Sequence, residues 1–269
     1  MLFTMVRTLS LNHLKAEALS LLLAAAGLSV YAQQPGVEIA LPGEAVNAFV
    51  DRPGDLYIQV RNERLLKYSK DGKLLGEFRP KEAPTVFEPR DGARMFAYYR
   101  KRNLAGFTGF GTEPVTTLHE EFAVEPWLAC SAGDKGIWIL DRADFSMKRV
   151  NLTSLKTEIE FTLPQEFQHD NIQMREYQGF LFLLVGQNRL VLFNGFGKRL
   201  KILTGQQLRF FNFIGEDLYY ADNDTLHFYN LFDGTQRSEP ADPSARFILL
   251  TDEARFVVYP GKVVITRFK

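Results

Sequence analysis

Cysteine is almost missing from this chain: Cys130 is the one thiol in 269 residues. An intramolecular disulfide is therefore excluded, and so is a zinc site built from cysteines alone. An excess of either charge is missing too, since 32 Lys and Arg balance 32 Asp and Glu. With no basic surplus to neutralise phosphates, nucleic acid is not an expected partner. Beyond the first thirty residues no apolar run approaches the roughly 20 residues needed to cross a bilayer, so no transmembrane segment is expected in the mature chain. The sequence also contains no Gly-x-Ser-x-Gly, His-Glu-x-x-His or Walker pattern. Gly109-Phe-Gly111 and Gly195-Phe-Gly197 precede no helix and read as hairpin turns. What is plentiful is aromatic: 23 Phe and 10 Tyr in a chain that is 46% hydrophobic, which favours strands and a sizeable core.

Residues 1–36 have a different character. Arg7, His13 and Lys15 precede an apolar run from Ala18 to Val30, interrupted only by Ser20, Gly27 and Ser29. Val30-Tyr31-Ala32 then gives way to the polar Gln33-Gln34-Pro35-Gly36. This pattern predicts a signal peptide over 1–32, cleaved after Ala32, and a short linker over 33–36. The competing reading is an amphipathic N-terminal helix, to which Glu17 lends weight. The Ala-Gln-Gln ending resembles exported proteins of Bacteroidetes-type bacteria, which implies a periplasmic or extracellular location.

The rest of the chain repeats. An aromatic strand, a polar corner, a second apolar strand and a glycine turn begin at Asp55, Met95, Gly136, Phe180, Asp217 and Arg255, about 37 to 44 residues apart. A short apolar strand precedes each start: Val46–Val50, Thr85–Phe87, Trp127–Cys130, Asn171–Met174, Leu208–Phe213 and Arg246–Leu250. Four strands in each of six units predict an all-β, six-bladed β-propeller over residues 37–269. The last unit holds only three strands, and Val37–Leu41 is a strand without a unit of its own. The expected solution is that the N-terminal strand completes the last blade and leaves no unpaired edge at the seam. A β-sandwich or two small β domains are the alternatives. Blade two is the weakest copy, interrupted by Arg100–Asn103 and Gly106–Gly111. Through Asn62-Glu-Arg64-Leu, Asn188-Arg189-Leu and Asp217-Leu-Tyr-Tyr-Ala-Asp222-Asn223, about half of the chain resembles the NHL-repeat and TolB-like six-bladed propellers. That resemblance implies a fold and does not select a function.

Candidate site residues follow from the fold, because propeller ligands gather where interblade loops ring one mouth of the channel. Those loops carry Glu44, Glu82, Glu125, Glu166, His169, Asp170 and Asp242. Converging carboxylates could hold Ca²⁺, and His169 beside Asp170 could act as a general base; a solvated loop explains the same residues. Arg100, Lys101 and Arg102, with Phe107 and Phe110, form a candidate recognition loop or else a charged turn. No catalytic residue and no metal ligand is assigned. The expected function is an exported, non-catalytic binding module or scaffold, monomeric, contacting an envelope protein or a glycan at one face of the ring. The rival is a hydrolase resembling gluconolactonase-like propellers, with Ca²⁺ among Glu44, Glu125 and Asp170. A structural role in an outer-membrane complex is a third reading. No cofactor is expected apart from that calcium.

Overall fold

A computed structural model describes residues 36–61, 64–118, 120–133 and 135–268. The expected leader, the linker up to Pro35, Asn62 and His119 lie outside the described residues. The described chain folds into six antiparallel sheets arranged as a six-bladed β-propeller. The innermost strands are Ala45–Val50, Val86–Asp91, Pro126–Ala132, Ile172–Tyr177, Leu208–Ile214 and Phe247–Leu250, one for each of blades one to six. From each of these the chain works outward strand by strand, then crosses to the next blade.

Why these segments are strands is clearest in blade four. Its second strand, Phe180–Val185, is almost continuously apolar. A strand that points alternate side chains to opposite faces needs such a run only when both faces are covered. Leu181, Leu183 and Val185 pack with blade three residues such as Trp138 and Met147. Phe182 and Leu184 pack with Phe211, Phe213 and Leu218 of blade five. The same division holds around the ring, where six buried clusters occupy the six interfaces. Outer strands bury less. Leu74–Phe78 and Lys156–Thr162 expose most of their residues, as expected at a solvent-facing rim.

Blades six and one meet in a cluster that includes Phe256, Val258 and Ile265 on one side and Leu56, Ile58 and Leu66 on the other. Polar contacts reinforce it. Ala45 N donates to Pro260 O at 2.7 Å, and Arg246 bonds both the Ala45 carbonyl and the Glu44 carboxylate. Val37–Ala40 runs antiparallel along the outer edge of Lys262–Arg267, with Val37 opposite Ile265 and Ala40 opposite Lys262. Blade six therefore has four strands, of which the outermost comes from the other end of the described chain.

Blade two departs from the expected pattern. Leu104–Thr108, which includes Gly106, is not an interruption but the third strand, paired with Arg94–Tyr99. The fourth strand is what is reduced: it survives as a single bridge between Leu104 and Thr117, flanked by Ala105 N to Thr116 O and Leu118 N to Asn103 O, both 2.9 Å. The turn before it contains Pro114, which has no amide hydrogen to give a ladder.

Removing residues 37–42 strips the outer edge of blade six and uncovers part of the blade six/blade one cluster, against which Ile39 and Leu41 pack. A chain starting at residue 43 is expected to melt about 5 °C or more below one starting at residue 33, equivalent to roughly 2 kcal/mol in a domain of this size. Coincident melting curves would show that this strand contributes nothing to stability.

Candidate functional site

The six innermost strands each pair on one side only, so their free edges present backbone N–H and C=O groups to the central channel. Near the start of these strands the channel widens into a cavity of ≈ 370 Å³. All six strands contribute to its wall. Phe49, Phe87, Phe210, Phe211 and Phe247, with Met174, supply apolar surface, and Glu88, Arg175 and Asn212 supply polar groups. Asn47, Thr85, Gln173 and Arg209 add further polar surface, so the wall is about equally polar and apolar, and a concavity of this size with fixed polar groups among aromatic ones is a candidate ligand pocket.

The polar groups are held by a chain of contacts that crosses blade boundaries. Glu88 is buried, and its Oε2 accepts from Ser131 Oγ at 2.6 Å and Ser131 N at 3.0 Å in blade three. In blade four, Arg175 Nη1 donates to Asn212 Oδ1 of blade five at 2.7 Å. Burial lowers the pKa of the Arg175 guanidinium, an effect that the Glu88 charge opposes. Tyr219 of blade five accepts from Leu250 N of blade six at 3.0 Å, and burial raises its phenol pKa far above the ordinary value.

Two residues beyond Glu88, Arg90 reaches further than its neighbours. Its Nη2 donates to the Glu176 carbonyl at 2.6 Å, and its Nη1 lies 3.4 Å from both Glu176 Oε2 and Ser131 Oγ. Arg90 belongs to blade two and Glu176 to blade four, so the side chain must pass in front of the inner strand of blade three, inside the channel. Glu176 is held firmly to receive it, accepting from Gly133 N at 3.1 Å and Gly179 N at 2.7 Å. The cavity lies on the interblade-loop side of this crossing, and none of Arg90, Ser131 or Glu176 lines it.

The acids expected at the mouth are present but do not converge. Glu44 is bound by Arg61 at 2.7 Å and by Arg246; Glu166 is bound by Arg199 at 2.8 Å; Asp170 is bound by Arg142 at 2.8 Å. Glu82 faces Arg102 at 3.2 Å, and Asp242 accepts from Ser244 and from Tyr259 Oη at 2.9 Å. Glu125 is exposed, its backbone bonded to Asp141 and Arg142. His169 Nδ1 accepts from Asn171 N at 2.9 Å, with no contact to Asp170. Among the described residues no three His, Cys, Asp or Glu side chains come together in a way that could hold a metal, so Glu44, Glu125 and Asp170 are not gathered into one site.

The segment expected as a recognition loop or a charged turn is tied down at several points. Arg102 is locked by Glu113 through two bonds of 2.8 and 2.9 Å. Arg100 stacks on Trp127 of blade three, with its guanidinium carbon 3.9 Å from the ring centre, and Arg142 covers the same ring at 4.1 Å. Phe107 packs on Phe96 at 5.6 Å, and Phe110 packs on Tyr57 at 5.9 Å. Only Lys101 of the group is exposed. Arg100 thereby ties blade two to blade three and Phe110 ties it to blade one, while the Arg102–Glu113 and Phe107–Phe96 contacts lie within blade two.

Glu88, Arg90, Arg175, Glu176 and Asn212 were not anticipated from the sequence. The signal was there: charges inside otherwise apolar inner strands, as in Val86-Phe-Glu88-Pro-Arg90 and Met174-Arg175-Glu176. A charge in such a strand is retained only where it finds a partner or a cavity.

No protein-family model matches the chain, and no curated protein matches it. Solved structures of similar fold include YCF48 bound to D1 peptide, 9% identical, with 88% of this chain and 98% of that chain covered and a TM-score of 0.56. The Pan2 WD40 domain of Neurospora crassa is 11% identical, with coverages of 82% and 77% and a TM-score of 0.54. A virginiamycin B lyase from Staphylococcus aureus, solved with quinupristin, is 13% identical, with coverages of 85% and 83% and a TM-score of 0.51. At such identities the likeness is one of fold.

One mouth loop owes its shape to a buried acid. Asp141 is 1% exposed and accepts from Val124 N at 2.8 Å, Glu125 N at 2.9 Å and Ala143 N at 3.1 Å, with Lys148 Nζ at 3.2 Å. Burial pushes its pKa up, but these donors outweigh burial and hold the carboxyl below its ordinary value. An acid with a depressed folded pKa stabilises fully above its unfolded value and loses that contribution as pH falls through the folded one. Asp141→Asn is thus expected to cost about 1–3 kcal/mol at neutral pH, in denaturant melts, with the gap to the parent closing below about pH 4. A gap that stays constant down to about pH 2, roughly two units below the ordinary Asp value, would show that the charge plays no part.

Proposed function

We propose that this chain is an exported, non-catalytic binding module that receives part of an envelope partner, protein or glycan, in the cavity at its channel mouth. The observation that carries this reading is the cavity itself, a concavity walled by all six inner strands, with aromatic and polar side chains in comparable measure. The acids around the mouth support binding over metal chemistry. Glu44, Glu166 and Asp170 are each tied to an arginine, so they act as fasteners between loops and not as an open ligand set. The likeness to a propeller solved with a bound peptide is compatible with this role. Export rests on the leader pattern of residues 1–32.

A photo-crosslinking residue placed at Gln173, which is exposed and lines the cavity, tests the reading against one placed at Leu200 on the rim of the same blade. Irradiated in the intact source cell, the Gln173 variant is expected to give a discrete envelope adduct and the Leu200 variant none. Equal labelling at both positions, or labelling at Leu200 alone, would contradict a role for the channel mouth.

A further inference from the structure

We infer that the cavity is built for an organic carboxylate carried on an apolar, preferably aromatic, body, with Arg175 as the residue that receives the acid. This inference rests on the channel-mouth reading above and gives it a ligand chemistry.

Several arginines elsewhere in the molecule are spent on ion pairs. Arg61, Arg102, Arg142, Arg199 and Arg246 are each bound to a carboxylate. Arg175 lines the cavity and makes no ion pair among the described residues. Its one hydrogen bond goes to a neutral amide, Asn212 Oδ1, and its Nε is buried without a partner. A guanidinium has five N–H donors in a fixed fork that suits a carboxylate, and this one is partly sequestered from water and left largely unspent. The second arginine of the wall, Arg209, carries its charge at the rim, where Pro243 O at 2.9 Å and Asn223 O at 2.7 Å hold it. It forms no ion pair, but the charges of Asp242 and Asp222 act on it.

The lining contains a single opposing acid, Glu88. It is 2% exposed, and Ser131 takes up one of its oxygens through two hydrogen bonds. Among the lining side chains it is one acid beside two arginines. The rings of Phe210, Phe211 and Phe87 line the same cavity, and the Arg175 guanidinium lies 5.3 Å from the centre of the Phe213 ring. A desolvated guanidinium amid aromatic surface prefers a ligand that supplies a carboxylate to the one and an apolar body to the other. A cationic ligand would meet the like charge of Arg175. The carboxylate can come from a free organic acid or from the C-terminal residue of a partner chain; the chemistry is shared.

Calorimetric titration of the full mature protein separates the possibilities. The probes are 3-phenylpropionate, its amide, and a pair of short peptides ending in phenylalanine as the free acid or the amide. The acid is expected to bind at least about tenfold more tightly than the amide, and Arg175→Gln to weaken the acid about 10- to 100-fold while leaving the amide unchanged. Arg175→Lys, which keeps the charge but not the fork, should retain part of the affinity. Binding of the small acid identifies a free acid as sufficient, and binding confined to the acid-ended peptide identifies a chain terminus; either supports the inference. Equal affinity for acid and amide, an Arg175→Gln variant that binds the acid normally, or no acid binding at about 5 mM would overturn it. If Arg175→Gln fails to fold, the acid/amide comparison on the parent still decides. Loss of the acid preference leaves the channel-mouth reading intact provided that crosslinking from Gln173 succeeds, so the two can fail separately.

Discussion

Everything in this fold follows from the requirement that each sheet bury both of its faces against a neighbouring sheet. A strand such as Phe180–Val185, apolar on both sides, cannot rest at the surface of a sandwich with one side wet. Six such sheets satisfy one another only in a closed ring, and a ring is what six interface clusters describe. The seam between blades six and one has the same character as the other five: an apolar cluster backed by hydrogen bonds from Arg246 and Ala45. The edge strand Val37–Ala40 belongs to the same economy, because it covers the outer ladder of the last blade.

Closure also makes the channel. When the faces of the blades are consumed in packing, the inner edges are left to surround an axis, and whatever polar groups the inner strands carry must be satisfied there. The Glu88–Ser131 and Arg175–Asn212 pairs and the Arg90–Glu176 crossing meet that need from different blades. Arg90 is held at both ends of its reach, so the channel is crossed on one side and the cavity has a fixed orientation toward the interblade loops. A pocket whose wall comes from six separate sheets changes shape only if the ring itself deforms, which favours a preformed site over one assembled by the ligand.

The architecture was legible in the sequence because a propeller writes the same paragraph six times. Aromatic strands, polar corners and glycine turns at regular spacing located the inner strands of blades one, three, five and six to within two residues, and marked blade two as the weakest copy. The site was much less legible. The strands expected in blades two and four stopped at Phe87 and Met174, one residue short of Glu88 and Arg175, because a charge in an apolar run reads as the end of a strand. In a propeller the inner strand continues past that charge and turns it toward the axis. The partners of the interblade acids were not legible either: Arg246 and Arg142, distant in sequence, bind Glu44 and Asp170. The basic segment Arg100–Arg102 likewise could not reveal that Trp127 and Glu113 were waiting for it. Pairings of this kind depend on which blade faces which, and no local pattern encodes them.

The account stands on the ring acting as one cooperative body. Native-state hydrogen exchange followed by mass spectrometry measures this directly, since amides that open together share one opening free energy. The inner and second strands of all six blades, including Phe247–Leu250 and Ala45–Val50 at the seam, are predicted to exchange with a common free energy equal to that of global unfolding. Exchange of blades six and one at a clearly lower free energy than blades three and four would contradict it, because the seam would then be a weak joint and the cavity wall would lack a fixed shape.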